Sequence, residues 1–185
     1  LPIILLPLGM VGLFQVMSRW VRGKQPEFFT DFFGAIRKYW WKSYVIGLID
    51  FVVGGITFAN LALLNTMGFD NLLVLLIATL NIFIAAILLM ANMYIWSLLV
   101  VAEFGLRHIF LLSLKLVFAN LGETVITLIL ALLPLVFAVL LSLPAILWFI
   151  GLISLSVLII NKGTWRVIRR YLPEAELVIF EDRKQ

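Results

Sequence analysis

An acidic residue lies inside one of the most apolar stretches of the chain. Asp50 is the only charged residue between positions 44 and 64. Because a carboxylate in the hydrocarbon of a bilayer is costly, it marks a functional position. Gly47, Gly54 and Thr57 share its helical face, and the small residues allow a neighbouring helix to approach closely. Asp50 is therefore a candidate proton- or substrate-binding carboxylate; the alternative is that it hydrogen-bonds to a neighbouring polar group or reaches water.

Three asparagines in apolar stretches are the other candidates within the membrane. Asn81 and Asn92 are 11 residues apart, which returns to nearly the same angular position on a helix. Together with Asn60 they are predicted to line an internal polar seam. The alternative is that the asparagines serve as hydrogen-bonding contacts between packed helices.

Most familiar catalytic chemistry has no basis in this sequence. The chain has no cysteine, which excludes disulfides, thiolate catalysis and cysteine-ligated metals, and its one histidine is His108. No phosphate-binding glycine loop, GxSxG elbow or HExxH motif occurs. We therefore expect a protein that is not an enzyme and needs no cofactor. Nucleic acid is not an expected partner, since the basic residues lie at the ends of apolar runs.

The elements that must position these residues are membrane-spanning helices. Apolar residues make up 64% of the chain, against roughly 45–50% in soluble domains. Because a span needs about 20 mostly apolar residues, the sequence predicts an all-α, polytopic transmembrane bundle forming a single domain over residues 1–185. In the first stretch, Pro2 and Pro7 predict that the helix begins near Leu8. The five predicted spans are residues 1–17, 44–64, 72–102, 124–141 and 143–160.

The basic residues predict the orientation of this bundle. All 14 Lys and Arg residues lie in residues 19–42, 107–115 or 162–184, and none lies in the connections 65–71 and 142–144. The positive-inside rule makes the basic side cytoplasmic, including the tail 162–185. Leu1 then lies outside, which predicts one more span upstream and six in the full protein.

Three segments near the basic side have their own predicted structures. Aromatic residues at helical spacing in residues 26–42 predict a short in-plane helix on the inner leaflet, with a soluble loop as the alternative. The third span is too long for a vertical crossing, and Glu103 and Arg107 at i,i+4 spacing favour its continuation as a helix. The last helix is predicted to continue through Arg170 and to end at Pro173.

The order of motifs at the start of the chain resembles a known bacterial family. Leu1–Pro2–Ile3, Arg22–Gly23 and Asp31–Phe32–Phe33 stand in the order seen in the YesL-like family of uncharacterised integral membrane proteins. Leu6–Pro7–Leu8–Gly9 departs from the Gly-Pro-Ala corner of that family. The resemblance implies the missing upstream span, a bacterial cell membrane location, and a locus shared with ABC-type oligosaccharide importers. It assigns no catalytic or binding residues.

Two functions from different classes follow from these observations. The first is a non-catalytic accessory subunit that binds the permease subunits of an ABC-type oligosaccharide importer. Its candidate partner surface is Glu103, Arg107, Lys115 and Glu123, in the segment where a permease would dock its ATPase, although the Glu-Ala-Ala…Gly pattern of importer permeases is missing. The alternative is an independent small-solute transporter or channel that uses Asp50 and the asparagines.

Overall fold

The structure is a computed structural model that describes residues 2–67, 71–140 and 151–172. Within these residues the chain is all-helical and has no strand, which confirms the predicted fold class. The helices are α1 (Pro2–Val21), α2 (Phe28–Met67), α3 (Leu72–Val101), α4 (Leu106–Ala119), α5 (Leu121–Leu140) and α6 (Ile153–Tyr171). The predicted turn at 142–144 and the tail beyond residue 172 lie outside the described residues.

The start of α1 differs from the sequence prediction. The helix begins at Pro2 and includes Pro7, whereas the prolines predicted a start near Leu8. Proline in a helix interior removes a hydrogen bond and crowds the preceding turn. Here the Pro7 ring is buried and packs directly against Gly47 of α2, where a side chain would collide with it. Packing between the two helices therefore stabilises a helix that local propensity disfavours.

The helix α2 is one element where the sequence predicted two. It runs for 40 residues without a break, so the predicted in-plane helix at 26–42 is not a separate element but the first part of α2. The backbone N–H of Glu27 donates to Asp31 Oδ2 at 2.9 Å, which anchors the first turn. Residues 28–67 contain no proline that would stop the helix. Once the helix has started, each added residue adds one hydrogen bond, so the helix continues. The orientation of this part relative to a membrane stays a prediction.

The connection after α3 corrects a second prediction. The helix does not continue through Glu103 and Arg107: α3 ends at Val101, and Ala102 is extended with φ −134° and ψ 144°. Lys42 Nζ of α2 donates to the carbonyl oxygen of Phe104 at 2.8 Å. Gly105, a poor helix former, follows at once and is the N-cap of α4, and the Lys42 contact ties this connection to α2.

The helix α4 is short, amphipathic and sharply angled to the next helix. The axes of α4 and α5 differ by 100° across a break at Asn120. The inner face of α4 consists of Ile109, Ser113, Leu116 and Val117, all buried. If α5 crosses a bilayer, an element perpendicular to it lies close to the membrane plane. On that condition α4 has in-plane geometry, and the in-plane orientation of residues 26–42 stays a prediction.

The basic segments meet at one end of the bundle. Side-chain contacts there join five segments: the end of α1, the start of α2, the connection after α3, the start of α5 and the end of α6. The main buried core lies on the same side and combines residues of α1 to α4 and α6. The joining contacts are Arg22 with Trp165, Lys42 with Phe104, and Arg170 with Glu123.

The opposite half of the α2–α3 hairpin is apolar and largely exposed. Its outward side chains include Phe51, Phe58, Leu76 and Phe83. Soluble monomers rarely expose contiguous apolar patches above a few hundred Å², so this surface belongs in lipid. Within the described residues, α2 and α3 are long and apolar enough to cross a membrane, and a third span results if the bent α4–α5 pair is counted as one.

Candidate functional site

The carboxylate of Asp50 has two partners on α3. Asn92 Nδ2 donates to Asp50 Oδ2 at 3.1 Å. The side chain of Trp96, one helical turn after Asn92, also faces this carboxylate. Asn92 and Trp96 are four residues apart, so a single face of α3 delivers both side chains. Sequence reasoning found Asp50 and Asn92 separately and did not pair them. The i,i+4 spacing of Asn92 and Trp96 is the signal that could have added Trp96.

Asp50 and Asn92 lie in a cleft between α2, α3 and α4. Its volume is about 360 Å³, and its wall is mainly aliphatic and aromatic. Asp50, Thr57 and Asn92 are the polar side chains that line it, and Phe110 and Leu114 of α4 close one side. Asn92 Oδ1 is buried and has no hydrogen-bond partner among the described residues. The cleft therefore offers carboxylate and amide oxygens as hydrogen-bond acceptors in an apolar setting.

The other predicted intramembrane residues are only partly brought into this cleft. Gly54 lines it, and a methyl group added there would meet no other atom within 4 Å, whereas Gly47 packs against Pro7 of α1. Asn81 Nδ2 donates to the Thr57 carbonyl oxygen at 3.5 Å, so it faces α2 farther along the hairpin. Asn60 is exposed. Of the predicted seam, Asn81 and Asn92 therefore make side-chain contacts with α2.

The four residues of the predicted partner surface have different surroundings. Glu103 accepts a hydrogen bond from Lys38 Nζ at 2.6 Å, so it ties the α3–α4 connection to α2. Glu123 accepts a bond of the same length from Arg170 and ties α5 to α6. Arg107 and Lys115 are exposed on α4. The two acids therefore make contacts within the chain, and the two cations are the members directed outward.

An ion pair that the sequence did not indicate lies between α1 and α2. The Arg19 guanidinium pairs with the carboxylate of Asp31, whose side chain is only 7% exposed. Nearby, the Arg22 guanidinium lies 5.8 Å from the centre of the Trp165 ring of α6. Burial, followed by the repulsion of Arg19, lowers the pKa of Arg22 below its ordinary value. No local pattern in the sequence marks Asp31 as buried.

Buried hydroxyl pairs also connect the helices. Tyr94 and Thr124 are joined at 2.9 Å between α3 and α5, and Ser97 and Thr164 at 2.8 Å between α3 and α6. Each hydroxyl has a partner, as burial in an apolar setting requires. Such pairs stabilise packing and are not arranged around a cavity that could hold a substrate.

The described residues contain no group of three or more histidine, cysteine or acidic side chains that could hold a metal ion. His108 packs against the ring of Phe104, with ring centres 4.6 Å apart. Fold and site together define a helical membrane protein with a mainly apolar cleft that holds a carboxylate and an amide.

Comparison with known proteins gives a partial family relationship. Residues 1–61 match a family described as protein of unknown function, DUF624. The match covers α1 and the part of α2 that carries Gly47, Asp50, Gly54 and Asn60, and it ends before α3. No curated protein and no solved structure matches the chain. The similarity therefore supports a relationship to an uncharacterised family for α1 and most of α2.

Proposed function

We propose that this chain is a non-catalytic accessory subunit that binds the permease subunits of an ABC-type oligosaccharide importer in the bacterial cell membrane. The importer as partner comes from the YesL-like resemblance of the first helices. The observation that supports a partner-binding role is the helix α4. It is held on the bundle by its buried inner face and lies perpendicular to α5.

The outer face of α4 combines apolar and basic groups. Leu111 and Phe118 are each 60% exposed, and Arg107 and Lys115 lie on the same outer side. Aromatic and apolar anchors beside arginine are typical of interfaces. An amphipathic helix at this angle can lie along the inner membrane surface beside a permease. The internal ion pairs of Glu103 and Glu123 hold the two ends of this region in position.

Affinity purification in mild detergent tests the proposal. A tagged chain should recover permease subunits, and Leu111→Ala with Phe118→Ala should weaken the association about 30-fold or more and lower that recovery, since each interface anchor contributes about 1 kcal/mol or more. The matched control is Leu76→Ala with Phe83→Ala, which removes the same two residue types at equal exposure on α3. Recovery of a homo-oligomer without permease, or equal losses in both variants, would refute the proposal.

The proposed orientation has an independent test. The basic end faces the cytoplasm in this proposal, and the turn 142–144 faces outward. Because the chain has no native cysteine, single cysteines can be introduced at Lys115 and Leu143. An impermeant thiol reagent should label Leu143→Cys in intact cells and Lys115→Cys only after the membrane is opened. Labelling of Leu143→Cys from the inside alone would invert the orientation.

A second function is favoured by the cleft at Asp50. The carboxylate and the unpartnered Asn92 oxygen support the alternative of an independent small-solute transporter or channel, since a carboxylate within membrane helices marks substrate and proton pathways. In proteoliposomes under an imposed membrane potential, such a transporter would show proton flux that Asp50→Asn abolishes. The control is Glu103→Gln, which removes an exposed carboxylate at the basic end. Absence of flux in the unaltered protein would reject this function.

A further inference from the structure

A groove between α5 and α6 is separate from the Asp50 cleft. Each helix contributes side chains at i, i+3, i+4 and i+7, so one straight face of each forms a wall. The groove has a volume of about 400 Å³. Gly163 lies at its base, where an added side chain would overlap Thr127 of α5. The wall residues are Glu123, Ile126, Thr127, Leu130, Ile159, Lys162, Gly163 and Arg166.

The charges of this groove are concentrated toward the basic end of the bundle. Glu123 is paired through Oε1 with Arg170 at 2.6 Å, so a cation offsets the charge of the acid in the wall. Lys162 and Arg166 are exposed, and neither has an ion-pair partner in the part of the chain that the structure describes. The groove therefore has a net attraction for anions.

The rest of the groove is apolar and open to the outside of the bundle. Ile126 is 60% exposed and Leu130 is 46% exposed, and Ile159 lines the facing wall. These residues extend from the cations along the two helices toward the apolar half. A soluble anion would contact the cations and leave the apolar wall uncovered. A ligand with an anionic head and a hydrocarbon chain covers both parts.

We propose that this groove binds one anionic phospholipid from the leaflet at the basic end of the bundle. The lipid phosphate pairs with Lys162 and Arg166, and an acyl chain lies along Ile126, Leu130 and Ile159. Basic pockets between membrane helices bind anionic head groups in this manner. The occupant follows from the combination of paired acid, unpaired cations and exposed apolar wall.

Native mass spectrometry of the full chain in detergent, titrated with phosphatidylglycerol, tests the proposal. One equivalent should bind more tightly than phosphatidylcholine. Each cation near anionic lipid contributes about 1 kcal/mol, or about fivefold in affinity. Lys162→Gln with Arg166→Gln should therefore weaken binding about 30-fold. The charge-preserving pair Lys162→Arg with Arg166→Lys should stay within about twofold of the unaltered chain.

The matched control removes two exposed cations elsewhere. Arg107→Gln with Lys115→Gln makes the same charge change on α4 and should change phosphatidylglycerol affinity by less than about twofold. An equal loss in this control would mean a diffuse electrostatic effect and overturn the proposal. Equal binding of phosphatidylcholine, or displacement of the lipid by millimolar inorganic phosphate, would overturn it as well. Thermal unfolding midpoints check that each variant is folded.

Discussion

The replacement Asp31→Asn isolates the charge of a buried ion pair without changing the size of the side chain. Asp31 accepts from the Arg19 guanidinium and from the Glu27 backbone N–H. Asparagine keeps one oxygen acceptor, so one of these two bonds can survive. The other is lost, and the Arg19 charge is left without its counter-ion between α1 and α2.

The exposures of the two partners set the size of the effect. Breaking a buried pair by removing one partner costs about 3–5 kcal/mol. The Asp31 side chain is 7% exposed, but that of Arg19 is 24% exposed and can regain some water. We therefore expect a loss at or just below the lower end of that range, about 2–3 kcal/mol of the free energy of unfolding. At about 2–4 °C per kcal/mol for chains of this length, the thermal midpoint should fall by about 4–12 °C.

The assay is thermal unfolding in detergent, followed by tryptophan fluorescence. Glu27→Gln is the control, because it makes the same chemical change four residues earlier at an exposed position. A double-mutant cycle with Arg19→Gln adds a second criterion: Arg19→Gln should cost less when Asp31→Asn is already present. If Asp31→Asn lowers the midpoint no more than Glu27→Gln does, the argument from burial is wrong.

Two further replacements probe helix packing by the same unfolding assay. Gly163→Ala should destabilise by about 1–3 kcal/mol, since its side chain overlaps Thr127; Gly55→Ala, with open space around it, should be neutral or stabilising by up to about 1 kcal/mol. Equal effects of the two would contradict the close approach of α5 and α6. Ile109→Ala should cost about 2–5 kcal/mol, because Ile109 is fully buried, whereas Leu111→Ala on the exposed face should cost under about 1 kcal/mol. A small loss for Ile109→Ala would mean that α4 does not pack on the bundle.

The candidate residues illustrate which contacts local patterns can reveal. Asp50 and Asn92 were conspicuous because polar side chains in apolar stretches are rare and costly. Their pairing was not predictable, since it depends on the register of α2 against α3, which no local pattern sets. The same holds for Asp31, whose burial results from the approach of α1. Asn60 was conspicuous for the same reason, and it is exposed.

The errors in helix boundaries have a common physical cause. Local rules predicted a break between residues 26–42 and 44–64, and none exists because nothing in the backbone chemistry stops α2. The i,i+4 pair of Glu103 and Arg107 predicted continuity, but α3 ends at Val101, Gly105 starts the next helix, and Lys42 ties the connection between them to α2. An i,i+4 pair is worth only about 0.2–0.5 kcal/mol. A contact between distant segments can easily outweigh it.

Two properties of the sequence, its composition and the clustering of its charges, determined three features. These are the all-helical class, the apolar helices suited to a bilayer and the segregation of the basic residues. These properties follow from transfer free energies summed over many residues, so no single contact can reverse them. The tertiary structure alone decided that Asp50 meets Asn92 and Trp96, that α4 turns by 100° before α5, and that Lys162 and Arg166 line one groove. Those outcomes depend on the register and rotation of one packed helix against another. Contacts between side chains that are far apart in the sequence determine that register and rotation.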